Sequence, residues 1–482
     1  MAVLEHLEPQ NVFRFFEDLC QIPHGSGDTK RISDYCVNFA KERGLEVIQD
    51  RVNNVIIRKP GTAGYEDSEP VILQGHLDMV CEKTLDSDHD FTVDPLSLYI
   101  EDGYVKARNT TLGGDDGIAV AFALAVLDSQ DLVHPPIEAV LTVDEETSMV
   151  GAEALDMSVL KGRLLINIDS EEEGILTVGC AGGMSVHAEI PFAAEEVTES
   201  SLRIQIKGLL GGHSGSEIDR QRGNANQMMG QLLQHLRQDT RFDLISIDGG
   251  QKENVITYSC TARIGGTPEE LDTVQKEILA TEAVWKTEFG KDEPNLRIEL
   301  TEEPAAAVRV MQADAAGRII AFLACAPQGV QCFNRELKGQ VETSLNLGVV
   351  QTTDTSVQAF FLIRSSVNTK KAAVAEKLQA LVSLAGGSSQ IVNAYPAWSY
   401  DPDSRLRPLM AEVYQEMFGV QPEIKTIHAG LECGLFSGKC PDLDCVSFGP
   451  NLWDIHSVNE RMDIASVGRM WEYLKAVLER CR

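Results

Sequence analysis

Histidine and carboxylate side chains follow several short apolar runs of this sequence, and both residue types bind metal ions. In the stretch LQGHLDMV, His76 and Asp78 stand two residues apart, just where an apolar run ends. A spacing of two puts both side chains on one side of an extended backbone. The pair therefore either ends a strand without a further role or begins a metal site.

Three further apolar runs lead to residues of the same kind. The four runs and the residues after them are 71–74 with His76 and Asp78, 139–143 with Asp144, Glu145 and Glu146, 164–168 with Asp169, and 445–448 with His456. Asp115, at the start of the apolar stretch 118–127, is a fifth candidate. In open α/β sheets, ligands bind beyond the carboxyl ends of the strands.

Each of these residues alone has an ordinary structural explanation. A carboxylate after a strand usually forms a turn or caps a helix, and Asp115 would suit an N-cap. Several carboxylates at one edge of one sheet would repel one another unless cations neutralised them. Mixed His, Asp and Glu ligands are those of hard and borderline divalent metals, so the set as a whole favours a metal site.

The elements that would position these residues alternate between strands and helices over the first ~185 residues, which predicts an α/β sheet covered by helices. The stretch 118–127 predicts a helix buried on most sides. Near residue 190 the pattern changes to more open strands, and helix–strand alternation returns after Gly386-Gly387. We expect one α/β domain in two segments, 1–187 and 389–482, interrupted by an inserted α+β domain at 188–388. The sequence shows no internal repeat.

Composition narrows the class of protein. A chain of 482 residues is long enough for two domains. Its formal net charge of −31 argues against nucleic acid as a partner, although a solvated acidic surface explains most of the charges. No signal peptide is visible and no apolar run reaches the ~18 residues that span a bilayer. The eleven scattered cysteines suit reduced thiols, so we expect a cytoplasmic protein without membrane contact.

Other chemistries have weaker support. A zinc site could be drawn from His428, Cys433, Cys440 and Cys445, but the spacing lacks a CxxC pair and Cys445 lies in a predicted strand. No GxSxG, P-loop or HExxH motif is present, so serine-hydrolase, nucleotide-binding and zincin functions have no motif behind them.

Ten short segments, in order along nearly the whole chain, resemble the aminoacyl-histidine (Xaa-His) dipeptidases, a carnosinase-like branch of the di-zinc aminoacylase/carboxypeptidase metallopeptidase family. The segments are GHLDMV, TLGGDDGIA, TVDEETSMVGA, NIDSEEEG, VGCAGG, GGHSG, RSS, YPAW, HAGLECG and IHSVNE. The resemblance implies an α/β di-zinc exopeptidase-like catalytic domain, with a mixed sheet between helices, interrupted by an inserted α+β lid and dimerisation domain. It also implies a homodimer formed through that domain.

The resemblance further implies two Zn²⁺ ions per subunit, with Co²⁺ or Mn²⁺ as alternatives. The implied ligands are His76, Asp115, Glu146, Asp169 and His456, with Asp115 bridging the two ions. Asp78 would orient His76, which fixes its tautomer. Glu145 would be the general base, taking a proton from a water shared by the ions as that water attacks the peptide carbonyl.

Three residues of the inserted domain would handle the substrate. His213 would stabilise the oxyanion, reaching into the site of a partner subunit. Arg364 would bind the free carboxylate of the substrate, because the guanidinium fork matches it. Asn254 would contact the substrate as well. A surface histidine after a glycine turn and an exposed strand arginine are the ordinary alternatives for His213 and Arg364.

Two positions depart from the expected motifs. Asp116 stands where Asn is expected, and Val458 stands where Pro is expected. The first adds a negative charge beside the bridging carboxylate, and neither removes a ligand. The leading hypothesis is a dipeptidase acting on unblocked dipeptides, including Xaa-His. The alternatives are an N-acyl-amino-acid deacylase and a catalytically silent metal- or peptide-binding protein on the same fold.

Overall fold

A computed structural model describes residues 2–482, and it divides the chain into two compact units. The first, here called the terminal unit, comprises the chain up to Gly179 together with Trp398–Thr426 and Leu431–Arg482. The second, the inserted unit, comprises Cys180–Ala397 and Ile427–Gly430.

The first part of the terminal unit alternates strands and helices, as the hydrophobic pattern predicts. Its elements are α1 (Gln10–Cys20), α2 (Lys30–Glu42), β1 (Glu46–Gln49), β2 (Val55–Lys59), β3 (Val71–His76), β4 (Leu98–Glu101), β5 (Tyr104–Ala107), α3 (Gly114–Asp128), β6 (Ile137–Thr142), α4 (Glu145–Ser148), α5 (Val150–Ala154), β7 (Leu164–Asn167) and β8 (Ile175–Cys180). Every residue from Ile118 to Leu127 of α3 is buried, which confirms the predicted buried helix.

The inserted unit contains nine strands and four helices. They are β9 (Gly182–Pro191), β10 (Ala194–Lys207), α6 (Ala225–Asp239), β11 (Asp243–Gly249), β12 (Cys260–Gly266), α7 (Pro268–Phe289), β13 (Arg297–Met311), α8 (Ala313–Cys325), β14 (Gly329–Phe333), β15 (Val341–Thr352), β16 (Ser356–Ser365), α9 (Asn368–Leu384) and β17 (Ser388–Val392). The strands form one sheet in the order β13-β10-β12-β11-β15-β16-β9-β17, with β14 paired to β15. Helix α7 begins with a capping box between Thr267 and Glu270, with Pro268 in its first turn.

The chain then completes the terminal unit. The remaining elements are α10 (Leu406–Phe418), β18 (Glu423–Ile427), α11 (Glu432–Lys439), β19 (Asp444–Ser447), β20 (Leu452–Trp453), β21 (Arg461–Asp463) and α12 (Ile464–Arg480). The main sheet of this unit has the order β1-β2-β6-β3-β7-β19-β8-β18, and a smaller sheet has the order β20-β21-β5-β4. In the main sheet β6, β3, β7 and β19 are parallel neighbours, whereas the pairs β1–β2, β2–β6 and β19–β8 are antiparallel.

The predicted α/β class with an insertion is therefore confirmed. Residues 182–191 and 194–207 are strands of the inserted sheet, and β17 extends that sheet beyond residue 388. The inserted unit consequently begins earlier and ends later than the expected 188–388. No helix of the described chain is long and apolar enough to cross a membrane.

Candidate metal centre

The sheet of the terminal unit brings the predicted ligand residues to one edge. Strands β6, β3, β7 and β19 run parallel side by side, so their carboxyl ends share that edge. His76 is the last residue of β3, Glu145 and Glu146 open the short helix α4 after β6, and Asp169 follows β7. Asp115 lies in the first turn of α3.

Asp115 lies between two imidazoles. Its Oδ1 is 3.1 Å from Nε2 of His76, and its Oδ2 is 3.2 Å from Nε2 of His456. Oε1 of Glu146 lies 2.9 Å from the same nitrogen of His456, and Oδ1 of Asp169 lies 3.9 Å from Nε2 of His76. The structure therefore brings all five predicted ligands together, and Asp115 offers one oxygen to each side of the cluster.

Two ligand groups within the described residues could each hold a cation. One consists of His76, Asp115 and Glu146, and the other of His76, Asp116 and Asp169; within each group the ligand atoms lie within 4.8 Å of one another. Two histidines and several carboxylates suit a borderline divalent ion such as Zn²⁺, Co²⁺ or Mn²⁺. The donor set present thus fits divalent cations.

Asp116 was expected only as a neighbour of the ligands, and the structure gives it a closer place. Its Oδ2 accepts a hydrogen bond of 3.1 Å from the backbone N–H of His76. Gly75 makes this approach feasible, because a Cβ there would lie 2.5 Å from Cβ of Ala119 and 2.6 Å from Oδ2 of Asp116. A glycine in β3 therefore lets α3 pack close to the strand and brings a second aspartate to the site.

Asp78 joins the histidine ligand to the turn that carries both glutamates. Nδ1 of His76 lies 3.0 Å from the carbonyl oxygen of Asp78 and 3.5 Å from its carboxylate. The same carboxylate accepts hydrogen bonds from the backbone N–H groups of Glu145 and Glu146 and from the hydroxyl of Ser26. With Nδ1 engaged, Nε2 of His76 faces the cluster, and this geometry supports the orienting role predicted for Asp78.

Crowding of buried carboxylates makes the centre attractive to positive charge. Burial, together with the charges of Asp115 and Glu146 and against the lowering effect of His76, raises the pKa of Asp169 to about 7. Burial, with Asp115 and Asp169, raises the pKa of Glu171 to about 8. Burial also raises the pKa of Asp116 well above its usual value.

The pKa values of the two imidazoles are raised as well, which favours their charged form. Hydrogen bonds to Asp115 and Glu146 raise the pKa of His456 to about 10. Burial disfavours the protonated form of His76, but its hydrogen bonds to Asp115 and Asp78 raise its pKa well above the usual value. Raised pKa values of carboxylates and imidazoles together mark a site with excess negative charge, which cations would neutralise.

Glu145, the predicted general base, lies beside the cluster. Burial raises its pKa well above the usual value for a glutamate; His76 acts against this, while Asp169, Glu432 and Glu146 add to it. A carboxylate with a raised pKa both accepts and returns a proton near neutral pH more readily than an ordinary one.

Two buried glutamates that support the centre were not predicted. Glu460 accepts hydrogen bonds from the backbone N–H groups of Leu112, Gly113 and Gly114, at 2.7, 3.1 and 2.8 Å, and so holds the loop that leads into Asp115. Glu432, fully buried in α11, accepts hydrogen bonds from Gln74 and Thr142 on the strands below. Both lie in segments noted for the family resemblance, IHSVNE and HAGLECG, but only the fold shows what they hold.

The predicted substrate residues lie in the inserted unit. His213 forms an isolated antiparallel bridge with Val255, next to Asn254. Arg364 in β16 is 7% exposed, its Nη1 lies 3.5 Å from the hydroxyl of Tyr395, and its Nε has no hydrogen-bond partner among the described residues. A buried guanidinium with an unused donor suits an anionic ligand.

The alternative thiol site is not formed. His428 belongs to the inserted unit, where its Nε2 lies 2.7 Å from the hydroxyl of Ser344. Cys433, Cys440 and Cys445 belong to the terminal unit, and none of them is part of a possible ligand group in the described chain.

Comparisons with known proteins agree with this geometry. Residues 72–480 match the sequence profile of Peptidase family M20/M25/M40. The chain is 40% identical over 481 residues to the cytosol non-specific dipeptidase of Escherichia coli, which covers 99% of both chains. It matches the crystal structure of an aminoacylhistidine dipeptidase from Vibrio alginolyticus with a TM-score of 0.95 and 38% identity, over 99% of this chain and 98% of that one.

A more distant match shows the same fold. The aminopeptidase PepT of Bacillus cereus has a TM-score of 0.57 and 16% identity, over 98% of this chain and 99% of that one. The resemblance inferred from the ten sequence segments is confirmed by the profile match and by a relative of similar length. This protein therefore belongs to Peptidase family M20/M25/M40 and is a metallopeptidase.

Proposed function

We propose that this protein is a metal-dependent dipeptidase that hydrolyses unblocked dipeptides, including those with a carboxyl-terminal histidine. The observation that carries the proposal is the meeting of His76, Asp115, Glu146, Asp169 and His456 at one sheet edge, with Glu145 beside them. The names of the Escherichia coli and Vibrio alginolyticus relatives, both dipeptidases, support this choice of substrate.

We assign the five clustered residues to a pair of divalent cations, Zn²⁺ or alternatively Co²⁺ or Mn²⁺. Such a pair, when bound, supplies a nucleophilic water at neutral pH and polarises the substrate carbonyl. Asp78 holds the ring of His76 and the backbone of the Glu145–Glu146 turn in place through its hydrogen bonds. The protein thereby keeps the ligand and base positions aligned before substrate arrives.

Proton transfer is assigned to Glu145. It removes a proton from the attacking water and returns it to the leaving amine, so that one carboxylate serves both halves of the reaction. Its burial and raised pKa are consistent with this double role.

His213 is assigned to the developing oxyanion. Its Nδ1 accepts hydrogen bonds from the backbone N–H groups of Gly215 and Ser216, at 3.3 and 3.2 Å. Burial and the charge of Arg364 lower its pKa, so the ring is neutral at neutral pH and carries its proton on Nε2. Nε2–H is then the donor available to the oxyanion.

Arg364 is assigned to the carboxylate at the end of the substrate, with Asn254 as a further contact. Its guanidinium is buried with an unused Nε donor, so pairing with a carboxylate satisfies a group that is otherwise costly to bury. A free carboxylate lies one residue from the scissile bond in every dipeptide, whereas the internal bonds of a longer peptide lack one.

Replacing Glu145 by Gln tests the mechanism. We expect kcat to fall by about 10²–10⁴-fold, because the base is lost, while metal content measured by plasma mass spectrometry stays at the wild-type level. Glu153→Gln, an exposed glutamate on the adjacent helix α5, is the matched control. Wild-type turnover by Glu145→Gln would remove Glu145 from the mechanism.

The substrate class has its own test. We expect free dipeptides to be hydrolysed with a higher kcat/KM than their N-acetylated analogues. A preference for the blocked compounds would instead identify the protein as an N-acyl-amino-acid deacylase.

A further inference from the structure

The inserted unit contains one folding motif twice. One copy, here called repeat A, is the run β10–α6–β11–β12–α7–β13, which has the pattern βαββαβ. Its strands lie side by side in the order β13-β10-β12-β11, which is fourth, first, third and second when they are numbered along the chain. The other copy, here called repeat B, consists of β9, α8, β15, β16, α9 and β17 and has the same pattern. Its strands lie side by side in the order β15-β16-β9-β17, which is second, third, first and fourth when they are numbered along the chain. Adjacent strands within each repeat are antiparallel.

The two repeats meet through corresponding elements. The second strands of each, β11 and β15, lie side by side and pair antiparallel at Gly249 and Val350. The first helices of each, α6 and α8, pack against one another. Two copies of one domain related by a two-fold axis would meet in this way. The β11 edge of repeat A and the β15 edge of repeat B are therefore already paired with each other within the chain, and β13 and β17 form the outer edges of the sheet.

Buried polar side chains join the repeats across this seam. Nδ2 of Asn346, on β15, donates to the carbonyl oxygens of Glu253 and Val255 in repeat A, at 2.7 and 2.8 Å. The hydroxyl of Thr257 donates to the carbonyl of Gly348 at 2.7 Å, in the opposite direction across the seam. Asn346 and Thr257 are 1% and 2% exposed, and paired polar groups in such surroundings define a single relative position.

The seam links the two proposed substrate residues of the unit. In repeat A, His213 bridges to Val255, and the N–H of Ser214 donates to the carbonyl of Asn254 at 2.9 Å. In repeat B, Arg364 on β16 pairs with Ser344 on β15, two residues before Asn346. One connected set of hydrogen bonds therefore runs from the His213 loop to β15 and, through the pairing of β15 with β16, to the strand that carries Arg364.

The loop of His428 closes the same cluster from another side. A Cβ on Gly215 would lie 2.8 Å from Cε1 of His213 and 2.7 Å from the carbonyl oxygen of His428, so these two loops are in contact. His428 in turn reaches Ser344, the strand partner of Arg364. Burial, Arg364 and His213 lower the pKa of His428 to about 3, in keeping with a shared location.

We propose that His213 and Arg364 of the same chain act on the same substrate molecule, because repeat A holds the position that a second copy of repeat B would occupy in a dimer. This inference rests on the proposed function and contradicts the expectation that His213 serves the site of a partner subunit. Whether two chains also associate stays a separate prediction. In either case one chain carries a complete set of substrate residues.

Mixed oligomers test the proposal. His213→Ala and Arg364→Ala chains, differently tagged, are co-expressed, purified through both tags and assayed with the substrate that the wild type hydrolyses best. A histidine acting across a dimer would give each mixed dimer one complete site out of two, so the doubly purified protein would show about half of wild-type activity per chain. We expect no activity above the sum of the two variants, and recovery to that level would overturn the proposal.

Wild-type protein provides a second measurement that does not depend on the folding of the variants. We expect the turnover per chain to stay constant when the protein is diluted until sedimentation shows only single chains. Loss of turnover in proportion to the loss of dimer would overturn the proposal while leaving the proposed function intact. A wild type that hydrolyses neither free nor blocked dipeptides would overturn the proposed function and this inference with it.

Discussion

Asp116 is the residue at which this site departs most from the one expected. Its buried carboxylate accepts a hydrogen bond from His76 and lies with Asp169 in one of the two ligand groups. An asparagine there would keep the acceptor for His76 but remove a charge. The chain thus places one more carboxylate than its motif requires beside the metal ligands, which favours tighter binding of divalent cations.

We expect Asp116→Asn to stabilise the chelated protein and to weaken metal binding. Because burial raises the pKa of Asp116, ionising it costs folding free energy once the pH exceeds its usual range, and the amide avoids that cost. The expected gain is about 1–2 kcal/mol at about pH 8 by urea unfolding, with roughly tenfold weaker affinity for Mn²⁺ by calorimetry. Asp131→Asn, at an exposed position, is the control. Equal metal affinity in the variant would place Asp116 outside the metal centre.

At the scale of elements, hydrophobic pattern predicted the parts of the fold that depend on local sequence. The buried helix α3 and the strands that lead to His76 and Asp169 are largely apolar runs, which a parallel sheet covered on both faces requires. The residues after those strands were found because the carboxyl ends of parallel strands share one edge.

The elements that escaped prediction are those whose sequence carries a weaker pattern. The first part of strand β10, the polar segment 194–201, pairs with β13, so its pairing partner rather than its own sequence decides its structure. Glu460 and Glu432 were missed for a related reason, because the groups they hold lie hundreds of residues away in the chain. The duplication in the inserted unit was invisible because repeat B is split by repeat A.

The seam between the repeats is an element whose function can be measured. We expect Asn346→Ala to lower the free energy of unfolding by about 2–3 kcal/mol, since the carbonyls of Glu253 and Val255 lose a buried donor. Release of the His213 loop should lower kcat by roughly tenfold with little change in KM or metal content. Asn334→Ala, whose hydrogen bonds stay within its own loop, is the control. A stability loss with unchanged kcat would show that the seam does not position His213.

At the scale of the whole molecule, metal binding and folding should be coupled in the terminal unit alone. All five proposed ligands belong to that unit, whereas His213, Asn254 and Arg364 belong to the inserted unit. Any cation bound to the folded centre stabilises the unit that contains it, by about 2.7 kcal/mol when its concentration is 100 times its Kd.

Chelation should therefore lower the melting temperature, and by more at about pH 8 than at about pH 6. Asp169 and Glu171 have pKa values of about 7 and about 8, above their usual values, so ionising them in the chelated protein costs stability as the pH rises through this range. The stabilisation from protonated His456, whose pKa is raised to about 10, also declines as the pH rises above about 6.5. Bound cations stabilise the ionised carboxylates and take the place of the imidazole protons, which opposes both losses.

Calorimetry with and without chelator at the two pH values measures the effect, and hydrogen exchange should place the lost protection around the ends of β3, β6 and β7. Loss of protection confined to the inserted unit, or a chelator effect that shrinks with rising pH, would contradict a metal centre built on this sheet edge.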